Sequence, residues 1–150
     1  MVQDNLIVRC PKCGAKNRIP RSRAGDHAVC GKCRAPIPTN AGFPERPIEA
    51  TDRSFRSEVL AFPGPVLVMF WAPWCGHCQR LMPVFAELAS EFSGSVKFVK
   101  VDLDKSPATA SENQVLSVPT LLLFKTGRLV NRLVGALPKN QLQYHLRTVL

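Results

Sequence analysis

From Ile48 onward the apolar positions alternate between two rhythms, short unbroken runs and longer stretches at helical spacing. Val66-Leu67-Val68-Met69-Phe70-Trp71 follows Pro65 as a run too short for a stable helix and predicts a strand buried on both faces. The spacing over residues 75–92 predicts a long helix that Pro83 should kink, because proline lacks the backbone donor and crowds the preceding turn. Residues 96–101 and 120–124 read as further strands, 106–113 as a short helix, and Lys125-Thr126-Gly127-Arg128 as a hairpin turn into a strand over 129–134. Thr51 and Asp52 are placed to cap a helix reaching about Ala61, and residues 138–150 carry the pattern of a closing amphipathic helix. The order β-α-β-α-β-β-α predicts an α/β fold: a mixed sheet with helices on both faces, parallel through its crossovers and then antiparallel through a hairpin.

The front third obeys neither rhythm. Residues 6–37 show no sustained helical or strand periodicity and are rich in Gly, Pro, Arg and Lys, so burial alone cannot hold them. Pro36, Pro38, Pro44 and Pro47 with Gly42 give the stretch that follows the composition of an extended connector. The expected organisation is a small module over 1–37, a linker over 38–47 and a full domain over 48–150.

Cysteine placement supplies what the front module lacks. All six cysteines fall in three Cys-x-x-Cys pairs, and Cys10-Pro11-Lys12-Cys13 and Cys30-Gly31-Lys32-Cys33 stand sixteen residues apart, the spacing of a four-cysteine zinc site. Two residues between thiolates let a tight turn aim both sulfurs at one ion, and two such turns close a tetrahedron with no open position. That predicts one structural Zn²⁺ on Cys10, Cys13, Cys30 and Cys33, with Gly14 and Gly31 relaxing the turns and metal binding supplying most of the module's folding free energy. Two further redox pairs or two disulfides are the competing reading. His27 is left out of the ligand set, since four cysteines already complete it.

Charge and the apolar runs narrow the setting. The net charge is +9, with nine Lys/Arg against three Asp/Glu in residues 1–46, but residues 1–42 contain no Phe, Tyr or Trp, which speaks against a nucleic-acid partner. No apolar stretch approaches the roughly 20 residues that span a bilayer. The first ten residues lack a basic segment followed by a long apolar one, so no secretory signal is readable and the cytoplasm is expected. In a reducing compartment Cys-x-x-Cys means metal or redox work.

The third pair sits differently. Cys75 follows a strand pattern and Trp74 and opens a helix, where backbone N–H groups and the helix dipole favour a thiolate. Cys75 is therefore the expected nucleophile, and Cys78, one turn further on, the thiol that resolves a mixed disulfide. No fourth pair exists to complete a second four-cysteine site.

Phe70-Trp71-Ala72-Pro73-Trp74-Cys75-Gly76-His77-Cys78, the helix proline Pro83, Val118-Pro119-Thr120, Gly127 and Val134-Gly135-Ala136 together resemble the thioredoxin family over about residues 48–150. With a zinc ribbon in front, the chain is similar to the thioredoxin-2 type. The resemblance implies the thioredoxin fold, reduction of protein disulfides, and a flavin-containing, NADPH-dependent thioredoxin reductase as electron donor. It also implies a cis Pro119 against Cys75, a Val118 backbone that pairs with an extended substrate strand, and an apolar rim of Trp74, Gly76, Val134, Gly135 and Ala136. Val118 and Val134 read equally well as ordinary core residues.

Two positions depart from the family pattern. Met69 stands where the family usually has a buried acid, which leaves Lys100 without its usual partner, and His77 stands where thioredoxins usually have proline and disulfide isomerases have histidine. Losing a carboxylate and gaining an imidazole that can carry positive charge both favour the thiolate, so the couple should be more oxidising than a typical thioredoxin. An oxidase or isomerase, or a ribbon that serves as a docking module to localise the redox domain, are the alternative readings.

Overall fold

The computed structural model describes residues 5–10, 12–20, 28–37 and 43–150. His27 and residues 38–42 of the expected linker lie outside them. Two small antiparallel hairpins stand at the front, where no strand periodicity was legible: β1 (Asn5–Arg9) with β2 (Lys16–Pro20), and β3 (Ala28–Val29) with β4 (Pro36–Ile37). Each hairpin is closed by a cysteine turn. Strands this short carry too few alternations to stand out, and an isolated two-stranded hairpin is marginal in water without further support.

The rest of the chain builds a five-stranded mixed sheet in the order β5-β7-β6-β8-β9. β5 (Ile48–Ala50), absent from the expected order, lies parallel at the edge beside β7 (Lys97–Asp102), and β7 is parallel to β6 (Pro65–Trp71). β8 (Thr120–Lys125) and β9 (Arg128–Val134) then run antiparallel. The apolar runs are unbroken because both faces are covered. Val66, Val68, Phe70, Val99, Val101, Leu122 and Phe124 pack with Phe55, Val59 and Ala110. Their strand neighbours Leu67, Met69, Phe98, Leu121 and Leu123 pack with Leu81, Phe85 and Leu88 of α1 (Gly76–Glu91) and Leu142 and Leu146 of α3 (Lys139–Arg147). α1 runs through Pro83, and Lys139 ties α3 to α1 by ion pairs with Glu87 and Glu91.

The helix expected over 51–61 is a correction. Only one π-helical turn, Arg56–Leu60, forms there. Asp52 does not cap it: its carboxylate accepts Thr109 N and Oγ1, both at 2.7 Å, and so caps α2 (Pro107–Glu112) across the fold. At the β8–β9 hairpin Thr126 and Gly127 both take positive φ, 53° and 77°, as a type I′ connection requires. A Cβ on Gly127 would meet the Leu60 carbonyl oxygen at 2.4 Å, so this position needs glycine twice over.

Candidate functional site

The four front cysteines converge. Each pair forms the same turn: Cys10 N donates to Ala15 O at 2.8 Å and Gly14 N to Cys10 O at 2.9 Å, and likewise Cys30 N to Ala35 O and Arg34 N to Cys30 O, both at 2.9 Å. The left-handed position is Gly14 in the first turn (φ 77°) and Arg34 in the second (φ 61°), so the expected relaxing role of Gly31 falls to an arginine three residues later. Gly31 serves otherwise: its N–H donates to Asn17 Oδ1 at 2.9 Å. Cys10 and Cys30 are buried, Cys13 and Cys33 exposed, and all four sulfurs lie within 4.8 Å of one another.

Backbone donors converge on the inner sulfurs, Lys12 N on Cys10 and Lys32 N on Cys30, each at 3.4 Å. The N–H groups of Cys33 and Lys32 hold Cys30 down at about 6. Cys33 receives help from Ala35 N–H, but partial desolvation of its sulfur inside the cluster and the neighbouring sulfurs of Cys10, Cys13 and Cys30 outweigh it and push that thiol up to about 12. Four protons cannot all leave such a cluster without a cation to take their place. Asn17, which the sequence reading missed, adds a side-chain donor, Nδ2 to Cys30 Sγ at 3.6 Å.

The second centre stands at the carboxyl end of β6. Cys75, 7% exposed, is the N-cap of α1, and its sulfur accepts Cys78 N at 3.2 Å, the place where a helix presents unpaired donors to an anion. Cys78 is wholly buried one turn on, and burial first, then the hydrogen bond to Cys75, pushes its thiol up to about 11. The Val118–Pro119 peptide is cis, and the Val118 carbonyl lies 3.7 Å from Cys75 Sγ. Gly135 (φ 96°) donates its N–H to Pro119 O at 2.9 Å. Trp74 is 68% exposed, its Nε1 donating to Asp104 Oδ2 at 3.1 Å, and Gly76, His77, Val134 and Ala136 are exposed around it.

Met69 does not reach this surface. It is fully buried between Lys100 and Leu121 in the strand register, among the side chains of the α1–α3 face. Lys100 has its ammonium 6.0 Å from the Trp71 ring centroid, within reach of a cation–π contact. A thiol at a helix start, 7% exposed, a wholly buried second thiol one turn on and the carbonyl that precedes the cis proline beside them make a dithiol centre of the thiol–disulfide exchange class on a thioredoxin fold.

Comparison with known proteins assigns the family: the chain belongs to the thioredoxin family. The family model described as Thioredoxin matches residues 46–148, and that described as Thioredoxin 2, N-terminal, a zinc ribbon, matches residues 9–35. Thioredoxin 1 of Nostoc sp. is 47% identical over 98 residues, 65% of this chain and 92% of its own. Thioredoxin C-3 of Corynebacterium nephridii is 36% identical over 141 residues, 94% of this chain and 93% of its own. Thioredoxin M4, chloroplastic, of Arabidopsis thaliana is 37% identical over 139 residues, 93% of this chain and 69% of its own. The protein is a thioredoxin-type protein-disulfide reductase with an N-terminal ribbon whose four cysteines are set to hold a metal. Among the described residues no helix is long and apolar enough to cross a membrane.

Proposed function

We propose that Cys75 and Cys78 carry out protein-disulfide reduction as nucleophile and resolving thiol, at a potential more oxidising than a typical thioredoxin, while Zn²⁺ holds Cys10, Cys13, Cys30 and Cys33. The observation that carries the first part is the 3.2 Å hydrogen bond from Cys78 N to Cys75 Sγ at the start of α1. A thiolate at Cys75 attacks one sulfur of a substrate disulfide, forms a mixed disulfide and expels the other sulfur as a thiolate. Cys78, deprotonated in its turn, attacks the Cys75 sulfur and releases the second substrate thiolate, leaving Cys75 and Cys78 joined. A thioredoxin reductase then returns two electrons. The substrate strand pairs with the Val118 backbone beside Pro119, on a rim of Trp74, Gly76, Val134, Gly135 and Ala136.

The oxidising potential rests on Met69, which is apolar and wholly buried, and on His77, which stands exposed between the two thiols in sequence. Without a buried carboxylate the thiolate is favoured and proton removal from Cys78 falls to water, His77 or the departing thiolate. These same two residues favour an oxidase or isomerase as the second reading. For the metal, Zn–S bonds of about 2.3 Å put tetrahedral sulfurs about 3.8 Å apart, and Cys10–Cys33 and Cys13–Cys30 already stand at 3.6 Å. Bound there, zinc replaces the missing apolar core of the 1–37 module, and the linker over 38–47 carries the chain to the 48–150 domain. A cytoplasmic setting fits a dithiol that must be kept reduced. Insulin reduction driven by NADPH and thioredoxin reductase, with the potential measured alongside, tests the reading. A protein that is not reduced by the reductase and that instead oxidises reduced peptides would favour the second one.

A further inference from the structure

The loop between α2 and β8 is tied at its base by a residue far along the chain. α2 is capped at its C-terminus by Asn113, Gln114 takes φ 55°, and Val115 N turns back to Ala110 O at 2.9 Å. A helix end leaves its last carbonyls without helical partners. Here Arg132 of β9 takes the one at the C-cap, Nη2 donating to Asn113 O at 2.6 Å, and reaches the next carbonyl along the chain as well, Nη1 to Gln114 O at 3.4 Å. A guanidinium at a helix C-terminus makes charge-assisted bonds and opposes the negative end of the helix dipole. The far end of the same loop is tied by the residue that follows β9, through Gly135 N on Pro119 O. Between the two ties stand Leu116, 97% exposed, and Val118, whose carbonyl faces Cys75.

We propose that Arg132 is a positioning residue for protein-disulfide reduction: it holds the 113–118 segment so that Val118 is presented beside Cys75, with the exposed Leu116 on the same loop, to an incoming polypeptide. This rests on Cys75 being the nucleophile of the preceding section. Arg132 pairs with Leu122 in the ladder and takes no part in the sulfur chemistry. Its effect precedes the chemistry, in the order it gives the loop before substrate arrives, so a small disulfide with no peptide strand to seat should not register its loss.

Pre-reduced full-length protein, freed of dithiothreitol, is mixed in single turnovers with increasing insulin and with 5,5′-dithiobis(2-nitrobenzoate). Arg132→Ala should raise the half-saturating insulin concentration about fivefold, the cost of ordering a loop no longer held in the free protein, and change the limiting rate by less than about twofold. Its rate with the small disulfide should stay within about twofold of the parent, and Arg132→Lys, which keeps one donor, should recover part of the insulin effect. A half-saturating concentration unchanged in Arg132→Ala while the melting temperature falls would make Arg132 merely structural. An equal loss with both disulfides would place its effect on the dithiol and overturn the inference. Should Arg132→Ala not fold, Arg132→Gln carries the same test. A parent that reduces the small disulfide but not insulin fails before any variant is made, and takes the protein-disulfide reading down with this one.

Discussion

The chain uses one spacing, Cys-x-x-Cys, on two kinds of backbone, and the backbone decides the chemistry. In the front module each pair sits on a hairpin turn with a left-handed residue just after it, Gly14 or Arg34, and the first sulfur accepts an N–H from two residues on. In the rear domain the pair opens a helix of 16 residues, and the first sulfur accepts an N–H from three residues on. The turn gathers four sulfurs around one point, whereas the helix sets one sulfur, 7% exposed, beside the Val118 carbonyl and sinks the other fully in the core. A gathered set is closed and suited to a cation; a separated pair stays available for exchange.

The largest effect that would break this contrast is on the rear pair. Cys75→Ser should abolish disulfide reduction, and Cys78→Ser should accumulate mixed disulfides with substrates, visible as non-reducing adducts of the protein. With burial holding the Cys78 thiol up at about 11, its thiolate fraction rises about tenfold per pH unit below that value. Release of a mixed disulfide should therefore accelerate with pH from 7 to 9, while a Cys78→Ser protein shows no such release at any pH. Multiple turnover by the Cys78 variant would show the roles to be wrong. The front pairs answer to a different treatment: one Zn²⁺ per chain is expected, and a strong chelator should melt the 1–37 module while the sheet domain keeps its circular dichroism and its insulin reduction. Protein purified under reducing conditions without zinc would end that half of the contrast.

How much of this was legible follows from where each determinant lives. β6 and β8 were readable because both their faces are covered, which makes the whole strand apolar, and the dithiol was readable as a pair because both cysteines and the helix start share nine consecutive residues. The front hairpins were not, since their order comes from the cysteine turns and not from apolar alternation. Asp52 carried a true helix-capping signal but spends it on α2, more than fifty residues away; a local pattern cannot say which helix a cap will meet. Arg34 gave no glycine to mark its left-handed turn. Asn17 and Arg132 act through tertiary hydrogen bonds and leave no periodic trace at all.

Asn17 sharpens the contrast from within the front module. It bonds both Gly31 N and Cys30 Sγ, whereas the corresponding place in the second turn, four residues after Cys33, is Ile37. Partners of metal-bound sulfur that lie outside the ligand set typically contribute about 10- to 100-fold in metal affinity. The Nδ2–Sγ contact is long, so Asn17→Ala should release zinc about tenfold more readily to a chromogenic chelator, with insulin reduction by the rear pair unchanged. Equal metal release in variant and parent would reduce Asn17 to a hairpin residue.

The smallest expected effect concerns the tuning of the rear pair by Met69 and His77. A carboxylate introduced by Met69→Asp, where the family usually has its buried acid, would oppose a negative sulfur, so the reduced state loses part of its advantage and the potential moves in the reducing direction. His77→Pro moves it the same way by removing a group that can carry positive charge at the exposed helix start. Each shift should be about 10 to 30 mV, up to about 1.4 kcal/mol for a two-electron couple. Met69 is fully buried among Leu67, Leu81 and Phe85, so the aspartate must also pay desolvation, and the potential has to be read alongside a melting curve and at a pH where the new acid is ionised. Because both substitutions act through one thiolate, the double variant need not show the sum. Equilibration of each protein with glutathione, with thiolate absorbance at 240 nm followed in parallel as the physical check on sulfur ionisation, gives the potentials. Two single variants that both stay within about 10 mV of the parent would mean that the dithiol's surroundings do not set its poise, leaving the helix start alone to distinguish this pair from the four cysteines in front.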